Sequence, residues 1–261
     1  MQSLLHYKIY PTTNKIAQSP PLLILHGLLG SMDNWRNQAK QLCHTRTVIT
    51  IDLRNHGHSP HFSGMSYKQM GLDIIAILEY EKLETIDLLG HSMGGKIAMW
   101  LALHYPTKIA TLIVVDIAPK TYPLWHQKVL TAMLMAPLAE FQSRQQVDQY
   151  LSQFIEDDIE RLFLAKNLQR HANKGYQWRC NLNEIVKSYL KIATFPLSNL
   201  TFLGKSYFIR GENSPYIESE DHILIKNLFP EAEIHTIANA THLPHIEQGS
   251  NFYQLLATFL K

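Results

Sequence analysis

Four short apolar runs constrain this chain more than any other feature. They occupy residues 22–26, 47–52, 85–90 and 109–116, and each is nearly continuous in Leu, Ile and Val. A strand solvated on one face alternates between apolar and polar residues, whereas a strand buried on both faces does not. The runs therefore predict parallel strands with helices packed on both sides.

The segments between the runs carry helical periodicity. Ser66 and Gln69 make a capping-box pair, and Tyr67, Met70, Ile74, Ile77 and Leu78 follow at helical spacing. Ile97 to His104 reads as a second helix, stopped by Pro106. Ser31 is placed to cap a third that carries Trp35, Ala39 and Leu42.

From residue 119 to 196 the pattern changes. Val129, Leu130 and Met133 read as helix, as do Val147, Tyr150 and Leu151, and then Ile159, Leu162 and Phe163. Only 176–180 suggests a strand there. Strand–helix alternation resumes at 206–210 and 233–237. A last helix carries Phe252, Leu255, Leu256, Phe259 and Leu260 on one face. The spacing predicts one α/β core, residues 1–118 and 197–261, interrupted by a helical lid at 119–196.

Composition narrows the class. Hydrophobic residues make up 46% of the 261, enough for a sizeable core, which excludes intrinsic disorder. Lys plus Arg less Asp plus Glu is 24 − 22 = +2, which offers no electrostatic case for nucleic acid or an anionic membrane. Cys43 and Cys180 make no disulfide framework. The first eight residues, Met1 to Lys8, lack a signal peptide's basic start and apolar run. No run reaches the ~18 apolar residues of a spanning helix. The expectation is a soluble, cytoplasmic protein.

The sharpest chemical motif is Gly90-His91-Ser92-Met93-Gly94-Gly95, which leaves a predicted strand and opens a predicted helix. That context makes G-x-S-x-G a nucleophile motif, because a tight turn exposes the hydroxyl and the helix start directs N–H groups at developing charge. A serine hydroxyl needs a base. His242 follows the last predicted strand and is the candidate; His245 reads as structural or rim. The candidates for the acid that orients the base are Asp116, at the end of its strand, and Glu212, Glu218 and Asp221. An oxyanion hole needs two N–H donors, expected from the backbone of Leu28 and Met93. His26, Leu29, His91 and Trp178 are expected at the substrate pocket. Trp125, Met133, Met135, Phe141, Phe154 and Phe163 belong mostly to packing faces of the lid. His56, His58 and His61 sit in a turn with no nearby acid, a poor metal set, so no metal and no cofactor are expected.

Together these residues resemble the α/β-hydrolase superfamily. His26-Gly27-Leu28-Leu29-Gly30, Asp52 to Ser59, Gly90 to Gly95 and Thr241-His242 fall in that family's order. Arg54-Asn55-His56-Gly57, Val115-Asp116-Ile117-Ala118-Pro119 and Asn213-Ser214-Pro215-Tyr216 are similar to the YbfF-type esterase and ABHD-eleven-like group within it. Many members carry the acid in the loop after the strand matching 206–210, but Ser214 stands where that Asp would be. The resemblance thus implies Asp116 as the acid. Thr241 replaces the usual Gly before the histidine. The implied activity is hydrolysis of short- to medium-chain acyl esters through a Ser92–His242–Asp116 triad and an acyl-enzyme. Acyl-CoA thioester hydrolysis by the same triad is the alternative, and a non-catalytic ligand-binding module the reading from another class.

Overall fold

The computed structural model describes residues 4–14, 19–171, 175–196 and 198–261. Residues 1–3 of the N-terminal stretch and Leu197, where the second core segment was expected to begin, lie outside the described residues. The strands in chain order are β1 (Tyr7–Tyr10), β2 (Leu22–Leu25), β3 (Val48–Ile51), β4 (Ile86–His91), β5 (Ile109–Val115), β6 (Leu168–Arg170), β7 (Tyr176–Trp178), β8 (Lys205–Gly211) and β9 (Ala232–Ile237). The helices are α1 (Arg36–Leu42), α2 (Tyr67–Tyr80), α3 (Met93–His104), α4 (Gln127–Met135), α5 (Arg144–Leu151), α6 (Asp158–Ala165), α7 (Leu182–Ala193), α8 (Asp221–Leu228), α9 (Pro244–Glu247) and α10 (Gly249–Phe259).

Seven strands form one sheet in the order β1-β3-β2-β4-β5-β8-β9. Every pair is parallel except β1 with β3. All six runs read as core strands are strands of this sheet. β1 was not anticipated: it is a half-buried edge strand with no continuous apolar run. Alternate residues of one strand feed two cores. Leu23 and Leu25 pack with α2 and α3 residues such as Ile74 and Ile97. Leu22 and Ile24 pack with Trp35, Ala39, Phe252 and Leu256 on the opposite face. Burying one such aliphatic side chain stabilises by about 1.5–3 kcal/mol. The register places Gly90 beside Leu25, His91 beside Val115, and Val115 beside Ile209. The C-terminal ends of β2, β4, β5 and β8 therefore lie in one row, the edge at which open α/β sheets bind ligands.

Local rules hold where expected. Ser66 Oγ accepts the Gln69 N–H, and the Gln69 side chain accepts the Ser66 N–H at 3.1 Å, completing the capping box. Ser31 starts a short 3-10 turn over Met32–Trp35, and α1 begins only after it. In the insertion between β5 and β8, Asp157 Oδ1 caps α6 by accepting the Ile159 N–H at 2.7 Å. The lone strand expected at 176–180 is one arm of a hairpin, β6–β7. Trp178 in that hairpin donates its indole N–H to the Met133 carbonyl at 2.8 Å.

Two buried ion pairs tie distant segments. Arg54 grips both carboxylate oxygens of Asp73, at 2.6 and 2.7 Å. Arg46 pairs with Asp87 of β4 and donates to the Leu260 carbonyl. Asp87→Ala leaves the Arg46 guanidinium buried and unpaired, so a loss of about 3–5 kcal/mol is expected in urea unfolding. Asp33→Ala breaks an exposed pair with Arg36 and should cost under about 1 kcal/mol in the same measurement.

Candidate active site

β4 passes into α3 through Ser92, whose backbone adopts φ 51° and ψ −118°. This is a left-handed conformation that a non-glycine residue enters at a cost of about 1–3 kcal/mol. The neighbouring glycines make the crossing possible. A Cβ at Gly90 would lie 2.2 Å from the Gly94 carbonyl oxygen, and one at Gly94 2.5 Å from that of Leu25. The Ser92 N–H donates to the Val115 carbonyl at 3.0 Å, fastening the turn to β5.

Beside it, Asp116 ends β5 with φ 52° and is fully buried. Its Oδ2 lies 2.8 Å from His242 Nδ1, and His242 Nε2 lies 3.0 Å from Ser92 Oγ. Asp116 also accepts the Gly211 N–H at 2.9 Å and the Ser214 hydroxyl. Ser214 thus occupies the expected acid position and donates to the acid on the neighbouring strand. The alternative carboxylates are engaged elsewhere. Glu212 accepts the Asn239 N–H at 2.8 Å, and Asp221 pairs with Lys120 at 2.6 Å, with Glu218 at the edge of that pair.

Three contacts that the sequence reading did not assign position His242. The Tyr216 ring stacks on it at 3.6 Å between centroids. His91 Nε2–H donates to the His242 carbonyl at 2.8 Å. The Glu247 carboxylate accepts both the N–H and the hydroxyl of Thr241, each at 2.6 Å. The β-carbon that sets Thr241 apart therefore carries a hydroxyl that ties the loop to α9. Tyr216 lay in a quoted motif; Glu247 carried no sequence signal at all.

The loop after β2 is fixed by two neutral histidines. Leu29, at φ 57°, donates its N–H to His56 Nε2 at 3.1 Å, and His56 Nδ1–H donates to the Arg54 carbonyl at 2.9 Å. Reciprocally, Leu53 donates its N–H to His26 Nε2 at 3.0 Å, and His26 Nδ1–H donates to the Gly27 carbonyl at 2.7 Å. Burial pushes His26 down to about 4 and His56 to about 3, which keeps both rings neutral and able to accept. Asp52 accepts the N–H groups of Met32 and His58, each at 2.8 Å. Gly57, at φ +56°, is required there, because its Cβ would lie 2.1 Å from the Asp52 carboxyl carbon. His56 is thus committed to backbone on both ring nitrogens.

Two cavities meet at Ser92. The outer one, about 400 Å3, is lined by Leu28, Leu29, His91 and His242 from the core and by His126, Ile159 and Phe163 from the insertion. The inner one, about 40 Å3, is lined by Leu28, Met93, Lys96, Tyr122, Trp125, Tyr189 and Tyr216 among others. Leu29 and His91 thus reach the cavity as expected positions. His26 and Trp178 do not, which corrects their assignment to the pocket: His26 has both nitrogens engaged by backbone, and Trp178 packs inside the insertion. His245 stacks on Trp35 at 4.2 Å behind the site.

A family model described as alpha/beta hydrolase fold matches residues 20–172. The chain belongs to the α/β-hydrolase fold family. Within this family it is 37% identical to the sn-1-specific diacylglycerol lipase ABHD11 of Mus musculus, over 94% of this chain and 82% of that protein. It is 30% identical to Esterase YbfF of Escherichia coli (strain K12), over 92% of each. A solved structure of a "Marine microorganism esterase" superposes with a TM-score of 0.94 at 36% identity, covering 99% of this chain and all, 100%, of the other. Among the described residues no helix is long and apolar enough to cross a membrane.

Burial also holds His126 at about 4, His245 at about 3 and His91 well below its ordinary value. Each of these five histidines is neutral in the fold and has an unfolded value near 6.5. Between the folded and unfolded values only the unfolded chain takes the proton, so stability falls as pH drops through that window. Each histidine contributes about 1.4 kcal/mol per pH unit there. The urea midpoint should fall steeply as pH drops from about 6.5 to 4.5, above the carboxylate range. A midpoint unchanged over that interval contradicts the neutral assignments.

Proposed function

We propose that this chain is a serine carboxylic-ester hydrolase that cleaves short- to medium-chain acyl esters through a covalent acyl-enzyme. The observation that carries the reading is the hydrogen-bonded series Ser92 Oγ, His242, Asp116 at the mouth of a largely apolar cavity. Ser92 Oγ attacks the ester carbonyl while His242 Nε2 takes its proton. Asp116 accepts from Nδ1–H, holds the ring in that tautomer and offsets the imidazolium charge. Gly211 N–H and the Ser214 hydroxyl donate to Asp116 and hold its carboxylate in place. Backbone N–H groups of Leu28 and Met93, the latter at the start of α3, receive the developing oxyanion. His242 then returns the proton to the leaving alcohol, and a water repeats the sequence to release the acid. No cofactor enters these steps.

The relatives named above support ester chemistry, being described as a diacylglycerol lipase and esterases. In this reading the insertion, residues 119–196, is a lid: His126, Ile159 and Phe163 roof the cavity over Ser92 and exclude bulk water.

Turnover of p-nitrophenyl butyrate should fall at least about a thousandfold in Ser92→Ala, and a fluorophosphonate probe should label the wild type but not the variant. Retained turnover, or no labelling of the folded wild type, sinks the nucleophile assignment and favours a ligand-binding protein. Asp116→Asn should lower kcat by about 10³–10⁴, while Glu212→Gln stays near wild type. The reverse order moves the acid to the loop after β8.

A further inference from the structure

The inner cavity has an unusual wall. Lys96 lies in the first turn of α3, four residues after Ser92, which immediately precedes that helix. Lys96 is 1% exposed, yet it lines the same small cavity as Ser92, Leu28 and Met93. The other lining groups are mainly aliphatic and aromatic, among them Ile117, Tyr122 and Tyr216.

Its ammonium is only partly compensated. Nζ donates to the Ala193 carbonyl at 2.7 Å, at the C-terminal end of α7, and lies 4.7 Å from the Tyr122 ring centroid. An ammonium carries three donors. Among the described residues no carboxylate forms an ion pair with it, and the like charge of Lys120 acts on it. Burial accordingly pushes Lys96 down to about 7. A buried cation without a counter-ion is costly, and a ligand anion offsets that cost by pairing with it. The cavity is small, at about 40 Å3. That suits a short chain.

We propose that Lys96 is the specificity-determining residue of the inner cavity and that it selects short acyl groups ending in a carboxylate, the half-esters of small dicarboxylic acids. The inference rests on the ester-hydrolase reading. With the scissile carbonyl between Ser92 and the Leu28 and Met93 amides, the acyl chain runs inward along α3 and its terminal carboxylate meets Nζ. A neutral chain of equal size leaves the ammonium unpaired, which is how a site discriminates against a substrate lacking a polar group.

The test compares monomethyl succinate with methyl 4-methylpentanoate, in which an isopropyl group of similar shape replaces the carboxylate. The ratio of kcat/KM for the two should favour the half-ester in the wild type. It should fall at least about tenfold in Lys96→Met and be partly kept in Lys96→Arg. A ratio unchanged in Lys96→Met overturns the proposal. Should that variant fail to fold, wild-type inhibition decides: succinamate should compete with the neutral ester more strongly than 4-methylpentanamide does, and equal inhibition overturns the proposal. Ser92-dependent turnover of the neutral ester reports separately on the hydrolase reading, so the two cannot fail unnoticed together.

Discussion

A single buried carboxylate organises the candidate site. Asp116 has no exposure, so its charge must be met by donors, and these come from two connections of the sheet. Gly211 N–H closes the end of β8, the Ser214 hydroxyl belongs to the loop beyond it, and His242 to the loop after β9. Satisfying this one charge draws the loops after β8 and β9 to the end of β5 at the row of strand ends. Ser92 meets His242 there because its own turn is fastened to β5, the strand that Asp116 terminates.

Backbone strain gathers at the same edge. Of the six described non-glycine residues with positive φ, Leu29, Ser92, Asp116 and Asn239 line the outer cavity or belong to the Ser92–His242–Asp116 series, Asn55 lies in the loop after β3, and Lys82 lies apart after α2. Such conformations persist only where surroundings over-determine them. Here the surroundings are the glycine-mediated crossing of β4 and α3, and the paired His26 and His56 rings that lock the loop after β2 to the loop after β3. Neutrality of those rings is a structural requirement, since a protonated imidazole accepts nothing.

Much of this was legible in the chain because it is local. The doubly buried strands announce themselves as unbroken apolar runs, the Ser92 turn as glycines around a serine, and the Asp116 choice as a Ser at 214. What was not legible depends on partners far away in sequence. β1 is a half-buried edge whose pairing with β3 gives it no local pattern. The β6–β7 hairpin is too short, three residues an arm, to show periodicity. His26 looked like a pocket residue because its motif neighbours are; only the Leu53 amide, 27 positions on, reveals it as scaffold. Trp178 was placed by its aromaticity, which serves a packed insertion as readily as a ligand. The stacking of Tyr216 on His242 and the Thr241–Glu247 clasp follow from loop geometry that no spacing rule encodes.

The wide spacing of the Ser92–His242–Asp116 series has a consequence for biosynthesis. The Ser92 turn sits in the first half of the chain, but its partner His242 is 150 positions later. While a ribosome is still making β8 and β9, the emerging polypeptide lacks the ring that Ser92 Oγ meets in the fold. The hydroxyl is then an ordinary alcohol. The Ser92–His242 contact forms only after residue 242 has emerged and the last two strands have joined the sheet.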